Sequence, residues 1–199
     1  MKIGILAVQG DFKAHGEMFR RLGVDTVEVR RPADLSGCEG AVLPGGESTT
    51  QLKFLKEEGL EAALSEFSEQ GGALFGTCAG AILLAREVSH PAQASLGLMD
   101  ITVRRNGYGR QLASEVLLEP TALRDAAIEM VFIRAPIIEY AGCSVEVLAT
   151  RAGKPVLVRE GRLLAATFHP ELTSDAAIHT YFLELVRQSA TLGGRKACA

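Results

Sequence analysis

The sequence predicts an α/β fold: a three-layer, open, mixed sheet that is mostly parallel, with antiparallel strands at one edge. Short apolar runs without polar alternation are typical of strands buried on both faces. In the first half of the chain these runs alternate with helical patterns, which indicates βαβ units and a parallel sheet. From about residue 97, strand patterns follow one another with only short turns between them, which favours antiparallel strands added to one edge.

The first half of the chain begins with an apolar run at residues 2–8, which predicts a strand, followed by the turn Gln9-Gly10-Asp11. Apolar residues at helical spacing predict a helix over residues 12–22, and Gly23 is a suitable residue to end it. The same reasoning predicts the remaining elements of this half: strands at 25–30, 41–43 and 73–76, and helices at about 48–58, 60–70 and 79–87.

The second half of the chain contains mostly strand patterns. They predict strands at 99–104, 110–118, 129–133, 145–150, 154–159 and 163–168, and a final helix over about 174–189. No internal repeat or linker interrupts the chain, so residues 1–192 are expected to form one domain. Residues 193–199 are expected to be a frayed C-terminal tail.

Composition and charge exclude several classes of function. The chain has 199 residues, of which 47% are hydrophobic and 23% charged, close to the averages for a soluble globular protein. The net charge is −3 and the basic residues are scattered, whereas nucleic-acid binding requires clustered positive charge. No apolar stretch reaches the roughly 20 residues that span a bilayer, and the N-terminal run is too short for a signal peptide. We therefore expect a cytoplasmic protein with no nucleic-acid and no membrane partner.

The sequence Gly76-Thr77-Cys78-Ala79-Gly80 lies between an apolar strand pattern at 73–75 and a helical pattern at 81–85. It is the cysteine version of the nucleophile elbow G-x-S-x-G. The glycines suit such an elbow because a sharp strand-to-helix turn brings backbone atoms too close together for a Cβ. The start of a helix also favours a thiolate. The alternative is a small buried cysteine at a glycine-rich strand end.

A cysteine nucleophile needs a base, and His169 has the most suitable context. It directly follows the last predicted strand, and Glu171 comes two residues later. Side chains two apart on an extended segment reach the same side, so the carboxylate could hold one ring nitrogen while the other faces the thiol. Cys78, His169 and Glu171 are therefore predicted to be the catalytic residues of a cysteine-dependent acyl transferase or hydrolase.

The other three histidines lie in contexts that predict no catalytic role. His15 is on the first predicted helix and is expected to be exposed. His90 lies in a predicted loop, and His179 lies on the last helix among polar neighbours.

Acyl transfer also requires hydrogen-bond donors for the oxyanion of the tetrahedral intermediate. The backbone N–H of Ala79, next to the thiol, is one candidate. Gly45 and Gly46, in the turn Pro44-Gly45-Gly46-Glu47-Ser48, are the others. This turn lacks the phosphate-binding signature G-x-x-x-x-G-K-[ST]. Because it follows a strand of an open α/β sheet, a ligand site is favoured over a plain turn.

The elbow and the sequence His169-Pro170-Glu171 together resemble the class I, or triad, glutamine amidotransferases. The closer resemblance is to the family of glutaminase subunits of pyridoxal 5′-phosphate synthase. It is carried by six segments, which are residues 4–11, 43–50, 75–80, 105–111, 132–136 and 168–172. The stretches Gly-Gly-Glu-Ser-Thr-Thr and Arg-Asn-x-x-Gly-Arg-Gln are far more specific than the elbow.

The resemblance implies a flavodoxin-like class I glutamine amidotransferase fold and a glutamine amidohydrolase. Cys78 would attack the side-chain amide of L-glutamine, His169 would protonate the departing ammonia, and water would release L-glutamate from a thioester. The ammonia would enter a separate synthase subunit, bound as a hetero-oligomer, that assembles pyridoxal 5′-phosphate. This chain is implied to contain no cofactor and no metal.

The resemblance also implies which residues bind glutamine and which contact the partner. The implied glutamine-binding residues are Gly46, Glu47, Ser48, Arg105, Ile133 and Arg134. A carboxylate and a guanidinium suit the α-ammonium and α-carboxylate of glutamine, although surface or ion-pair roles are the alternative for the two arginines. Gln9, Gly10 and Asp11 are implied to contact the synthase, and this contact is hypothesised to order the oxyanion turn.

Three other functions are consistent with parts of the sequence. One is the glutaminase subunit of imidazole glycerol phosphate synthase, which would use the same chemistry with another partner. A second is a chaperone-like or redox-sensing member of the same superfamily, but in such proteins an acid near the thiol commonly replaces the His-x-Glu pair. A third is a pure interaction module, which only the modest charge favours.

Overall fold

The computed structural model describes residues 1–107 and 115–188. The strands in this part of the chain are β1 Lys2–Leu6, β2 Asp25–Val29, β3 Gly40–Leu43, β4 Ala73–Thr77, β5 Ala85–Ser89, β6 Met99–Arg104, β7 Glu115–Thr121, β8 Arg124–Phe132, β9 Ile137–Ala141, β10 Glu146–Arg151, β11 Lys154–Glu160 and β12 Leu163–Ala166. The α-helices are α1 Phe12–Arg21, α2 Ser48–Glu57, α3 Leu60–Glu69, α4 Ala79–Leu84 and α5 Ala177–Arg187. Two 3₁₀ helices span Pro32–Leu35 and Pro170–Leu172.

The central sheet has seven strands in the order β10-β11-β12-β4-β3-β1-β2. All pairings from β2 to β12 are parallel, whereas β11 and β10 continue the sheet in antiparallel orientation. The parallel part has the flavodoxin-like strand order 2-1-3-4-5, with β12 as its fifth strand. The predicted mixed sheet, mostly parallel with antiparallel edge strands, is confirmed.

Both faces of this sheet are covered by helices, which gives the predicted three layers. Adjacent residues on β4 point to opposite faces: Leu74 belongs to one apolar cluster and Phe75 to the other. Leu55 of α2 and Leu64 of α3 pack in the first cluster, and Phe182 of α5 packs in the second. The absence of polar alternation in the parallel strands follows from this two-sided burial.

The sequence predicted that the strands of the second half would extend the central sheet, but only some of them do. β5, β6 and β9 form a separate three-stranded sheet, and β7 and β8 form a separate pair. The predicted strand at 163–168, observed as β12, is parallel to β4. Alternating polarity indicates that a strand exists and which face is buried, but it does not identify the neighbouring strand.

The structure also differs from the predicted elements at the end of α4 and at β9. The helix predicted over residues 79–87 ends at Leu84, because residues 85–89 leave the helical conformation and pair with β6 as β5. Tertiary pairing there overrides the helix propensity of Ala85, Arg86 and Glu87. The structure also contains β9, which the sequence did not predict. Part of the predicted strand at 110–118 and the predicted tail at 193–199 lie outside the described residues.

The carboxyl ends of β1, β3, β4 and β12 lie at the same edge of the parallel sheet. The segments that follow these four ends are Gln9-Gly10-Asp11, the Gly45-Gly46 turn, Cys78 and the His169 segment. Open α/β sheets place their ligands at this edge. Within residues 1–107 and 115–188, no helix is both long and apolar enough to cross a membrane.

Close packing beneath the elbow gives a prediction for stability. A Cβ added at Gly80 would lie 1.9 Å from the carbonyl oxygen of Leu43, which is backbone and cannot move aside. We expect Gly80→Ala to lower the free energy of unfolding by about 3 kcal/mol in urea denaturation. Gly16→Ala, within α1, is the matched control, because its Cβ would contact only Ile5 Cδ1, at 3.7 Å. The free energy of unfolding of the control should rise by about 0.5–1 kcal/mol. Equal stability of the two variants would contradict this packing.

Candidate active site

A cavity of about 340 Å³ opens at the carboxyl edge of the sheet. All the residues predicted for catalysis, glutamine binding, the oxyanion hole and the partner interface line it, with the single exception of Glu171. These lining residues are Gln9, Gly10, Asp11, Gly45, Gly46, Glu47, Ser48, Cys78, Ala79, Arg105, Ile133, Arg134 and His169. Glu171 lies behind the wall of the cavity, against His169. The structure therefore brings together residues that are up to 162 positions apart in the chain (9 to 171).

Cys78 occupies the turn between β4 and α4 in the backbone conformation expected of an elbow. Its φ is 47° and its ψ is −101°, which is unusual for a residue with a side chain. A Cβ at Gly76 would lie 2.5 Å from the carbonyl of Gly80, so the turn requires glycine at that position. The thiol faces the cavity, and Sγ lies 4.0 Å from the carbonyl oxygen of Ile133.

His169 is held between Cys78 and Glu171. Its Nδ1 lies 2.8 Å from Oε1 of Glu171, whose side chain is fully buried. Burial by itself lowers the pKa of His169, but hydrogen bonding and charge interaction with Cys78 and Glu171 raise that pKa to about 10. An imidazolium beside a thiol favours the thiolate form of that thiol. This arrangement can supply a sulfur nucleophile and an adjacent proton donor.

The backbone conformation that brings Glu171 against His169 differs from the predicted one. The sequence predicted an extended segment with both side chains on one side, but residues Pro170–Leu172 form a 3₁₀ helix. The turn of this helix brings the carboxylate back against the ring. The His169 backbone N–H donates to the carbonyl of Val131 at 2.8 Å, which fixes the segment against β8.

The Gly45-Gly46 turn packs directly on the histidine. A Cβ at Gly45 would lie 2.3 Å from Cε1 of His169, so only glycine fits. The Gly45 N–H donates to Oγ1 of Thr77 at 3.0 Å, and the Gly45 carbonyl accepts from the N–H of Asp11 at 3.2 Å. The Gly45 N–H is therefore not available to a ligand in this conformation. Ala79 begins α4, and its N–H has no acceptor within the helix.

Glu47 and Arg105 form an ion pair at the cavity, with 3.1 Å between Oε1 and the guanidinium. Glu47 is also the N-cap of α2: its other oxygen accepts from the N–H of Thr50 at 2.8 Å and from the hydroxyls of Thr49 and Thr50. Partial burial raises the pKa of Glu47, but the hydrogen bonds from Thr49 and Thr50 outweigh this and lower it to about 2. A carboxylate and a guanidinium of opposite charge therefore stand side by side at the cavity.

The other residues predicted to bind glutamine have different surroundings. Arg134 is exposed and has a positive φ of 46°, next to Ile133. The Ser48 hydroxyl is directed to Gln93 Oε1 at 3.0 Å. Gly46 lies against Gln9, because a Cβ there would be 2.4 Å from Gln9 Oε1.

The turn at residues 9–11 is bonded to the Gly45-Gly46 turn. Gln9 Oε1 accepts from the N–H of Glu47 at 2.8 Å. Gly10 has a φ of 103°, and a Cβ there would lie 2.0 Å from the Gly45 carbonyl oxygen. A displacement of the 9–11 turn would therefore act directly on the backbone of the neighbouring turn.

Sequence reasoning placed His15 wrongly, and it missed a buried polar cluster. His15 is fully buried rather than exposed, and His179 is fully buried as well. The spacing contained a usable signal, since Phe12, His15 and Phe19 follow the i, i+3, i+7 pattern of one helix face. That face is the apolar one, which predicts that a histidine within it is buried.

Comparisons with known proteins identify the family of this chain. The model of the SNO glutamine amidotransferase family matches residues 5–188. The pyridoxal 5′-phosphate synthase subunit PdxT of Koribacter versatilis is 56% identical over 187 residues, which cover 94% of this chain and 96% of that protein. The protein of the same name from Thermus thermophilus is 52% identical over 186 residues, covering 92% and 96%.

Solved structures resemble the fold. A crystal structure described as a glutamine amidotransferase has a TM-score of 0.88 and 47% identity, and the match covers 92% of this chain and 98% of that one. A glutamine amidotransferase from Thermotoga maritima has a TM-score of 0.61 at 15% identity, covers 93% of this chain and 84% of that one, and shares the fold. On the extent of the family match, the chain belongs to the SNO glutamine amidotransferase family and is a glutamine amidohydrolase.

Proposed function

We propose that Cys78, His169 and Glu171 hydrolyse L-glutamine to L-glutamate and ammonia, and that the ammonia is delivered to the synthase subunit of pyridoxal 5′-phosphate synthase. The reaction would thus serve vitamin B6 synthesis. The observation that carries the catalytic part is the position of His169 between the thiol and a buried carboxylate, at the wall of a 340 Å³ cavity.

The proposed reaction proceeds through a thioester. The Cys78 thiolate attacks the side-chain amide carbon of glutamine, and the His169 imidazolium protonates the departing nitrogen, so that ammonia leaves. Neutral His169 then takes a proton from water, the resulting hydroxide attacks the thioester, and the C–S bond breaks to release glutamate and the thiolate. Glu171 holds Nδ1 of the ring throughout. The N–H groups of Ala79 and Gly46 are the proposed donors to the oxyanion.

Glu47 and Arg105 are the proposed partners of the amino-acid end of glutamine. Their ion pair presents one carboxylate and one guanidinium at the cavity, which match the α-ammonium and α-carboxylate of an amino acid. Gly46, Ser48, Ile133 and Arg134 are proposed to complete the site, since they line the same cavity.

Arg105→Met tests this assignment. Loss of a charge-assisted hydrogen bond costs about 1.5–3 kcal/mol, so KM for glutamine should rise by about 10-fold to 100-fold while kcat changes little. Arg104→Met is the matched control, because Arg104 pairs with Glu139 at 3.0 Å and does not line the cavity. Steady-state glutaminase kinetics with the synthase present give both constants. An unchanged KM in Arg105→Met would contradict the assignment.

The proposed partner rests on the relatives, whose names describe them as subunits of pyridoxal 5′-phosphate synthase. The turn at Gln9, Gly10 and Asp11 is the proposed contact with the synthase, because it lines the mouth of the cavity. Its hydrogen bonds to Gly45 and Glu47 would let docking rearrange the oxyanion turn. Coupling of this kind would limit glutamine hydrolysis to the assembled hetero-oligomer.

Mixing experiments test both parts of the proposal. The chain is combined with the synthase subunit of pyridoxal 5′-phosphate synthase or with that of imidazole glycerol phosphate synthase, and glutamate release is measured. We expect stimulation only by the first. Stimulation by the second alone would overturn the proposed partner and leave the glutaminase assignment in place. Absence of glutamate release with both would overturn the glutaminase chemistry.

A further inference from the structure

Behind the cavity, four buried polar side chains come together from four different elements. They are His15 of α1, His179 of α5, Thr77 of β4 and Glu171 of the second 3₁₀ helix. His15 is at the centre. Its Nε2 lies 3.4 Å from Glu171 Oε2 and 3.2 Å from Thr77 Oγ1, and its Nδ1 lies 2.9 Å from His179 Nε2. None of the reaction steps above uses His15 or His179.

Burial favours the neutral form of both histidines. Burial lowers the pKa of His15 well below its ordinary value, and the nearby His179 and His169 lower it further. Burial also lowers the pKa of His179 to about 3. Among the described residues, the ionisable groups that face His15 are His179, Glu171 and His169, of which the Glu171 carboxylate is the negative one.

A neutral histidine has one N–H, so the hydrogen bonds determine where it lies. Glu171, paired with the His169 imidazolium, is a carboxylate and can only accept. A proton on Nε2 of His15 lets this nitrogen donate to Thr77 Oγ1 at 3.2 Å while it faces Glu171 Oε2 at 3.4 Å, and that buried oxygen has no hydrogen-bond partner among the described residues. Nδ1 of His15 then accepts from Nε2–H of His179, and Nδ1 of His179 carries no proton.

The opposite arrangement is less favourable. If the Thr77 hydroxyl donated to Nε2 of His15, a nitrogen lone pair would face the carboxylate oxygen at 3.4 Å. His15 would then donate to His179, and the proton on Nδ1 of His179 would be buried without an acceptor among the described residues. The centroid of the His179 ring lies 5.1 Å from that of Phe19 and 5.8 Å from that of Phe75. A buried N–H without a partner is costly, whereas a bare lone pair costs less.

We propose that His15, as the Nε2–H tautomer held by His179, is a positioning residue for Glu171. The positive end of its N–H bond attracts Oε2 of the carboxylate across 3.4 Å, which keeps Oε1 on Nδ1 of His169. The inference rests on the proposed Cys78-His169-Glu171 mechanism and adds a fourth and a fifth residue to it, neither of which touches substrate.

Enzyme kinetics with the synthase present test this role. His15→Phe keeps a ring of similar shape and removes the donor, so kcat should fall on the order of 10-fold to 100-fold, by analogy with the loss of an outer partner of a metal-binding histidine. KM should stay near the wild-type value. His15→Gln, whose side-chain amide can donate from nearly the same place, should recover most of the lost kcat. Phe19→Leu is the packing control: it changes the contacts of His179 without removing a hydrogen bond, and should lower Tm while preserving kcat.

Several outcomes would overturn the positioning role: wild-type kcat in folded His15→Phe, no recovery in His15→Gln, or an equal loss of kcat in Phe19→Leu. The wild-type chain is assayed in parallel. Failure of the wild type to release glutamate would count against the proposed function, whereas an active wild type with an equally active His15→Phe counts only against this inference.

Nitrogen NMR of the wild-type chain gives a second test that does not depend on a variant folding. Long-range nitrogen–proton correlations distinguish the two tautomers of each neutral ring. We expect the proton on Nε2 in both His15 and His179. A proton on Nδ1 of His15, or a charged His15 ring at neutral pH, would overturn the inference.

Discussion

Replacement of Cys78 by alanine is expected to reduce glutamate release by at least about 10⁴-fold when the synthase is present, because Cys78 is the proposed source of the sulfur that forms the thioester. Removal of the nucleophile from a comparable triad costs about 10⁶-fold in kcat. The fold should be preserved, since the side chain lost is small and faces the cavity. Undiminished release would rule out the proposed chemistry.

Cys38→Ala is the matched control for this variant. Cys38 is also a free thiol, but it lies at a different surface depression, near Leu35 and Gly72. Burial raises the pKa of the Cys38 thiol, which disfavours a reactive thiolate there. We expect Cys38→Ala to retain wild-type kcat, and a loss comparable to that of Cys78→Ala would show that thiol loss acts through stability.

Glu171→Gln is expected to cause the second large effect, a fall in kcat of about 10²-fold to 10⁴-fold, because the ring of His169 loses the carboxylate that sets its tautomer and orientation. The pH profile should change as well. Hydrogen bonding and charge interaction with Cys78 and Glu171 raise the pKa of wild-type His169 to about 10, so the imidazolium that is proposed to protonate the departing nitrogen is lost only as pH rises through that value. Without the carboxylate the alkaline limb of kcat/KM should move to lower pH.

The raised pKa of His169 also determines how the effect of Glu171→Gln on stability depends on pH. Because the folded-state pKa of His169 is raised, the paired imidazolium stabilises the fold fully below the unfolded pKa of about 6.5. This contribution is lost as pH rises through about 10. Glu171→Gln should therefore lower Tm more at pH 6 than at pH 10. Glu28→Gln is a suitable control, because Glu28 pairs with the exposed Arg30 on the surface. An alkaline limb that stays in place in Glu171→Gln would contradict the role assigned to the carboxylate.

Local patterns predicted the elements of the sheet well and their pairing poorly. β1, β3 and β4 are recognisable because burial on both faces removes polar residues from them. Most strands of the second half are also recognisable, but β6 pairs with β5 and β9, and β7 pairs with β8, away from the central sheet. Pairing depends on contacts between segments far apart in the chain, which the period of a single segment does not contain.

The candidate site likewise has features that the local sequence predicts and others that it does not. The elbow at Cys78 is readable because its geometry is local: the glycines are required by backbone atoms within a few residues, as Gly76 is by Gly80. The pairing of His169 with Glu171 is also local, although a 3₁₀ turn achieves it rather than the extended segment that was expected. The hydrogen bond from Gly45 to Thr77 could not be predicted, because it joins the ends of two different strands.

By itself, the sequence determined which cysteine, histidine and carboxylate are proposed for catalysis and the edge of the sheet where they meet, because each is specified by neighbours within a few residues or by the order of strands and helices. Only the tertiary structure decided the environment of these groups. His15 and His179 are 164 residues apart, and no local pattern requires them to touch. They meet behind Glu171 because α1 and α5 cover the same face of the sheet, and burial there lowers the pKa of both rings and so favours their neutral form.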